Sequence, residues 1–207
     1  MEGVYVLVYK YFQKPIDELL AKSRMPDEEL RLKDLKFYFE LLEELLQEKM
    51  GGSLAAINID DISFIVTGHE GDNAAAQTAL SKLGNTGGET YWRWYGYTSR
   101  VEWSGCFVSW CLNQNGYAYP KFSSLDTGVK WCKNNSKWQE PDFADIAPGD
   151  LIFFDWEGKG KAQHVGLVIG IDEDGYVYTV EGNDGDTVKI RKYELTNQYI
   201  MGYGTIT

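Results

Sequence analysis

The sequence of 207 residues is poor in cysteine and histidine. Its cysteines are Cys106, Cys111 and Cys132, and so small and odd a number does not make a disulfide framework. Its histidines are His69 and His164, too few for a tetrahedral Cys/His metal site without carboxylate ligands. We therefore expect neither a disulfide-held fold nor a structural zinc site.

Basic residues and long apolar runs are also scarce. The chain has 20 Lys and Arg against 31 Asp and Glu, a net charge of −11. Binding to phosphates needs a clustered basic surface, which the sequence does not show, so nucleic acid is not an expected partner. The acidity also disfavours attachment to an anionic membrane by charge alone. No apolar run reaches the roughly 18 to 20 residues that span a bilayer.

The first residues make a poor signal peptide, because no basic group precedes the apolar stretch 4–9. Export would need another route, or the sequence is a piece of a longer exported chain with further domains. The second interpretation is favoured. A hydrophobic content of 43% supports a filled core and argues against a wholly disordered chain.

Residues 1–67 are predicted to form a mostly helical accessory segment. Pro26 opens a helical stretch that Gly51 closes. Leucines and a tyrosine recur inside it at helical spacing, and this stripe packs either within the segment, which is favoured, or against another molecule. A short strand is expected within 55–66, and a linker follows.

Residues 68–207 are predicted to form a second domain of the α+β class, with helices first and an antiparallel sheet afterwards. Residues 87–97, rich in glycine and aromatics, are expected to be a loop. The predicted helices cover 73–83, 104–115 and 124–134. The predicted strands cover 150–156, 164–171, 176–181, 187–191 and 200–204.

His164 is the candidate general base. In the strand that begins there, it shares one face with small residues such as Gly166, which leaves room for the imidazole and a ligand. Glu181 and Asn183 stand two apart in the next strand and so are expected to share a face. A polar side chain fixed beside an imidazole sets its tautomer and supports a nucleophile–base pair.

The nucleophile is expected at the start of the helix near residue 104, where the helix dipole and free N–H groups stabilise anions. Cys111 lies on the apolar stripe of that helix and is expected in the core, and Cys132 is expected to be structural. The residues themselves leave two candidate positions, Ser104 and Cys106.

Several motifs stand out together along residues 70–207. They are EWSGCFVSWC at 102–111, PGDLIFFDW at 148–156, HVGLV at 164–168, VEGN at 180–183 and GYG at 202–204. With these motifs the region resembles the CHAP family, the cysteine- and histidine-dependent amidohydrolases and peptidases of the NlpC-like clan, and it looks like the domains found in peptidoglycan hydrolases of phages and conjugative elements of Gram-positive bacteria. The resemblance implies a small papain-like α+β fold.

The resemblance implies site residues one by one. The family nucleophile is a cysteine three residues before the Phe of a Cys-x-x-Phe-Val pattern, and counting back from Phe107 reaches Ser104. The family base matches His164, and its Glu and Asn match Glu181 and Asn183. A serine thus stands where a thiol is expected.

Three explanations for this serine remain open. It is a deliberate exchange that inactivates the enzyme, which is favoured, or it reflects natural loss of activity or a working serine variant. Otherwise Cys106 is the nucleophile, although two residues turn a helix by about 200° and would point its sulfur away from a base that faces position 104.

Aromatic side chains near the site are expected to line a substrate groove, because their planes stack on sugar rings and peptide planes. An alternative is that about half of them fill the core. The candidates are Trp92, Trp94, Tyr95, Trp103 and Trp156.

The expected function is hydrolysis of an amide bond in peptidoglycan, as an amidase or an endopeptidase, outside the cell or in its wall and with no cofactor. Because of Ser104, the chain as written is expected to be inactive. One alternative is a non-catalytic wall-binding module that has lost its nucleophile. Another is an intracellular thiol hydrolase that acts on proteins.

Overall fold

The computed structural model describes residues 59–65, 69, 71–117, 119–142 and 145–206. Only 59–65 of the predicted accessory segment fall within these ranges. The helical stripe predicted between Pro26 and Gly51 lies outside the described residues.

The described residues contain α-helices at three predicted places and at one that was not predicted. Residues 87–97, expected to be a loop, contain the helix Glu89–Tyr95, and that expectation was wrong. Gly88 (φ 59°) and Gly96 (φ 123°) flank this helix in conformations that favour glycine. With seven residues between them, it is too short for apolar periodicity to reveal. The helices are α1 Ala74–Leu80, α2 Glu89–Tyr95, α3 Ser104–Gln114 and α4 Leu125–Asn134.

The strands form one antiparallel sheet, so the predicted α+β class is confirmed. The strands are β1 Phe64–Ile65, β2 Trp138–Gln139, β3 Leu151–Phe154, β4 His164–Asp172, β5 Tyr176–Asp184, β6 Thr187–Glu194 and β7 Ile200–Gly204. Along the sheet the order is β2-β7-β3-β4-β5-β6, and β1 pairs with β4. Strand β1 is the short strand expected within 55–66, whereas the two-residue strand β2 was not predicted.

Alternating side chains of β3 divide the buried residues between the two faces of the sheet. Leu151 and Phe153 belong to the larger cluster, which includes residues of all four helices, whereas Ile152 and Phe154 belong to a second one. Helix α3 contributes most of its side chains to the larger cluster and lies against β4 and β5. Its position relative to these two strands is therefore set by core packing.

Strand β1 shows that the sheet begins before residue 68, the predicted start of the second domain. Phe64 pairs with Asp172, and its ring meets Tyr178 edge-on at a centroid distance of 5.6 Å. The same ring fills the space beside Gly170, where an added Cβ would lie 2.6 Å away. Residues 64–65 are thus part of this sheet rather than of a separate segment.

Among the described residues, no helix has the length and apolar character needed to cross a membrane.

We predict that Phe64→Ala destabilises the domain, because it removes half-buried apolar surface from Gly170 and Tyr178. Full burial of a Phe side chain contributes about 1.5 to 3 kcal/mol, so loss of the half-buried ring should cost roughly half of that and lower the melting temperature of a domain of this size by roughly 2 to 6 °C. Ile65→Ala is the matched control, since Ile65 is 41% exposed. Equal melting temperatures for the two variants, measured by circular dichroism, would show that β1 does not contribute to the core.

Candidate active site

The hairpin of β4 and β5 brings His164 and Glu181 into contact. His164 Nε2 lies 2.7 Å from Glu181 Oε2, and the side chains are 12% and 2% exposed. A carboxylate this buried requires hydrogen-bond donors, and the ring nitrogen is placed to donate to it. With the proton on Nε2, Nδ1 is left as the basic atom of the ring.

The other carboxylate oxygen of Glu181 is also bonded. Thr179 donates its hydroxyl to Glu181 Oε1 at 2.6 Å, and Thr179 is fully buried. Burial, with Glu181 alongside, raises the pKa of Tyr193, so this neighbouring phenol stays neutral. Glu181 is therefore held from both oxygens, and its position fixes that of the imidazole.

The small residues of β4 do not leave open space for a ligand, contrary to our expectation. A Cβ added at Gly166 would lie 2.7 Å from Glu181 Cγ, so the missing side chain makes room for the glutamate. The space beside Gly170 holds the ring of Phe64. Glycine at 166 is thus needed for the His164–Glu181 contact itself.

Asn183 does not share the orientation of Glu181, which corrects another expectation. The strand register shifts between Glu181 and Asp184, and Asn183 has a φ of 66°. Regular alternation of side chains ends at such a bulge. The Asn183 amide donates instead to Glu102, two residues before Ser104.

Ser104 is the first residue of α3 and is 5% exposed. Among the described residues, no hydrogen bond joins its hydroxyl to His164. Packing brings the helix start to the end of β5, because Phe107 fills the space beside Gly182, where an added Cβ would lie 2.5 Å from the ring. The first N–H groups of a helix lack intrahelical acceptors, so they can bind an anion formed beside position 104.

Cys106 lacks the properties of a nucleophile. It is fully buried, and burial raises the pKa of its thiol to about 11. Cys111 and Cys132 are also buried with raised pKa values, as expected of core residues. Since only the thiolate is reactive, the burial and the raised pKa of the Cys106 thiol argue against Cys106 as a nucleophile.

Two of the proposed substrate-binding aromatics are core residues, which corrects their assignment. Trp103 is fully buried and stacks on Tyr91 at 5.5 Å. Trp92 is 6% exposed and donates its indole N–H to the Gly87 carbonyl at 2.9 Å. A short chain rich in aromatics uses some of them as core, and the sequence alone did not distinguish these two.

The other three aromatics are partly exposed. Trp156 stacks on Phe154 at 4.7 Å, and its centroid is 6.2 Å from the His164 ring. Trp94 and Tyr95 face the Lys121 ammonium, which lies 4.3 Å and 4.8 Å from their centroids. Each ring thus has a neighbour over one face and keeps part of its surface exposed.

Two groups of supporting residues were missed in the sequence. Thr179 could have been found, since it stands two before Glu181 in the same strand and therefore on the same face. The contacts of Arg100 and Trp103 with Asp186 join residues more than 80 positions apart, and no local pattern reveals them.

The described region is thus an α+β domain with a buried histidine–glutamate contact between β4 and β5, and with α3 packed against the same two strands. Residues 92–183 match the family model of the CHAP domain, a range that contains Ser104, His164, Glu181 and Asn183. The recognition of a CHAP domain is therefore confirmed for this region. No curated protein matches the chain.

Two solved structures share a weaker likeness. One is an NlpC/P60 family protein from Bacillus cereus ATCC 10987, with 21% identity, a TM-score of 0.41 and coverage of 64% of this chain and 39% of that one. The other is NlpC1 from Trichomonas vaginalis, with 18% identity, a TM-score of 0.41 and coverage of 70% and 48%. The match thus spans less than half the length of either solved structure, and at these TM-scores it supports no functional argument.

We predict that native protein resists iodoacetamide at about pH 8. With a pKa of about 11, only about one Cys106 thiol in a thousand is ionised there, and the sulfur is buried. Mass spectrometry of the intact protein should show no adduct, whereas unfolding in guanidinium should expose all the cysteines to alkylation. A rapid single adduct on native Cys106 would restore that residue as a candidate nucleophile.

Proposed function

We propose that the CHAP domain is the catalytic domain of a peptidoglycan hydrolase that cleaves an amide bond. In this proposal position 104 carries the nucleophile, His164 is the general base, and Glu181 orients the imidazole. The observation that carries it is the buried His164–Glu181 contact, with α3, which begins at residue 104, packed against the same two strands. Peptidoglycan is the proposed partner, outside the cell or in its wall.

The chemistry follows from a nucleophile at a helix start beside an imidazole. The nucleophile transfers its proton to His164 Nδ1 and forms a bond to the substrate carbonyl carbon, whose oxygen becomes an anion held by N–H groups of the first turn of α3. Collapse of this intermediate breaks the C–N bond, and His164 returns the proton to the leaving amine. Water, deprotonated by the same nitrogen, then releases the carboxylic acid and restores the nucleophile.

The side chain at position 104 limits this chemistry. A thiol there would feel both the helix dipole and His164, which lower its pKa and favour the thiolate. A serine hydroxyl ionises far less readily, and a base suited to a thiol activates it poorly. We therefore propose that the chain as written binds substrate and turns it over slowly or not at all.

The same residue favours one alternative function, a wall-binding module without catalysis. Such a module would keep the partly exposed rings of Trp94, Tyr95 and Trp156 as a stacking surface. It would bind purified sacculi and would gain no activity from a thiol at position 104.

We predict that Ser104→Cys produces hydrolysis of purified sacculi that the chain as written lacks. Iodoacetamide should abolish this activity, and a further His164→Ala exchange should lower it by about 10² to 10⁴, the usual contribution of a general base. Muropeptide products identified by mass spectrometry would also show which amide bond is cut.

Cys106→Ala is the matched control in the Ser104→Cys background. It should leave most of the activity, because the Cys106 sulfur is buried in the core. If Ser104→Cys binds sacculi but releases no products, the wall-binding alternative is supported instead. If the chain as written cleaves sacculi and loses this on Cys106→Ala, position 104 is not the nucleophile.

We also predict that Thr179→Val in the Ser104→Cys background lowers kcat/KM by about tenfold or more. The exchange keeps the shape but removes the hydrogen bond to Glu181, and a bond to a charged group contributes about 1.5 to 3 kcal/mol. Thr179→Ser keeps the hydroxyl and should retain most of the activity. Equal kinetics of the two variants on a soluble muropeptide would show that Thr179 has no part in holding Glu181.

A further inference from the structure

The turn between β5 and β6 carries a carboxylate that points to the start of α3. Gly185 and Asp186 form the turn, with φ values of 55° and 64°, as in the type I′ turns that join paired strands. Asp186 Oδ1 accepts hydrogen bonds from Arg100 Nε at 3.1 Å, Arg100 Nη2 at 2.7 Å and Trp103 Nε1 at 3.1 Å. One carboxylate oxygen therefore joins the turn to two residues of the segment before the helix.

Trp103 links Asp186 to position 104. It is the residue immediately before α3, and its side chain is fully buried. Its ring stacks on Tyr91, lies edge-on to Phe107 at 6.2 Å and contacts Gly88. A large ring held on several sides has little freedom, so its indole N–H fixes the direction in which the helix begins.

A second contact ties the same two segments together. Asn183, on the β5 side of the turn, donates its amide to Glu102. Three of the four residues 100–103 are thus bonded to 183–186. The same strand carries Glu181, which contacts His164. The segment before position 104 and the strand that carries Glu181 are therefore joined at this turn.

We propose that Asp186 is a positioning residue that fixes the start of α3, and with it the nucleophile at position 104, relative to His164 and Glu181. The inference rests on the proposed function, because it assigns a purpose to the alignment of position 104 with the imidazole. The turn links the helix that carries the nucleophile to the strand that carries the orienting carboxylate.

The free energy of folding distinguishes this positioning role from a stabilising role, because the Asp186 contact should contribute little to it. The Arg100 and Asp186 side chains are 51% and 44% exposed, and an ion pair at such an exposed site contributes little to folding. The hydrogen bonds of Arg100 and Trp103 lower the pKa of Asp186, so the carboxylate is charged at neutral pH. Its loss should move the helix start without unfolding the domain, and a displacement of about 1 Å at a reacting atom costs about a hundredfold in rate.

The test uses the full chain with Ser104→Cys and measures the rate of iodoacetamide reaction at the introduced thiol against pH. Asp186→Gly removes the carboxylate while suiting the positive φ, so the turn itself is not strained. Asp186→Asn also suits that φ and keeps an oxygen for Trp103 without the charge that pairs with Arg100. Asp174→Gly, the same exchange in the turn between β4 and β5, is the matched control.

Asp186→Gly should shift the pH profile of the thiol upward and lower its rate at neutral pH by about ten- to a hundredfold. Asp186→Asn should fall between Asp186→Gly and the parent, and Asp174→Gly should leave the profile unchanged. The melting temperature of each Asp186 variant should stay within a few degrees of the parent's. An unchanged profile in Asp186→Gly overturns the inference, and so does a loss of reactivity matched by Asp174→Gly.

Failure of the proposed function would show differently. In that case His164→Ala would leave the thiol profile of Ser104→Cys unchanged. The effect of Asp186 on the start of α3 is then measured in the protein with Ser104 in place, from the ¹⁵N signals of the Trp103 indole and the residue 104 amide. A change in both chemical shifts in Asp186→Gly but not in Asp174→Gly supports the positioning role of Asp186, and unchanged shifts refute it.

Discussion

The hydrogen bond from His164 Nε2 to Glu181 Oε2 is the interaction on which the candidate site depends. It fixes the tautomer of the imidazole and turns Nδ1 into the basic atom. Other features of the β4–β5 hairpin support this hydrogen bond. Gly166 leaves space for the glutamate, and Thr179 holds its second oxygen. Pairing of Leu167 with Val180 brings the two strands into the register that makes the contact possible.

Core packing, rather than a single hydrogen bond, sets the position of residue 104, the proposed nucleophile site. Helix α3 lies where core packing places it, with Phe107 against the backbone of Gly182. Packing of apolar side chains fixes where the helix lies. Hydrogen bonds accepted by Asp186 and donated by Asn183 hold the residues that precede it. The site thus combines a dense core, which resists displacement, with a few polar contacts that determine alignment. Since those polar contacts are partly exposed, they contribute more to geometry than to the free energy of unfolding.

The sequence predicted the fold class because long helices and strands leave periodic patterns, and β4, whose alternation is clear, was predicted to begin at His164 as it does. Short elements escaped. Helix α2 has one complete turn and part of a second between two glycines, and β2 has two residues, so neither shows a period. The bulge at Asn183 could not be foreseen, because regular alternation was assumed across the whole strand. Burial of Trp92 and Trp103 depended on contacts with distant segments, as did the role of Asp186.

Imidazole ¹⁵N spectroscopy of the full chain, with Ser104 in place, tests the central claim most directly. The chain has two histidines, and His69→Gln leaves His164 as the one to be assigned. In its neutral form His164 should show a protonated Nε2 and an unprotonated Nδ1, and Glu181→Gln should weaken this preference. A neutral ring protonated at Nδ1, or one unaffected by Glu181→Gln, would contradict the account, since the base would then not be oriented by the carboxylate.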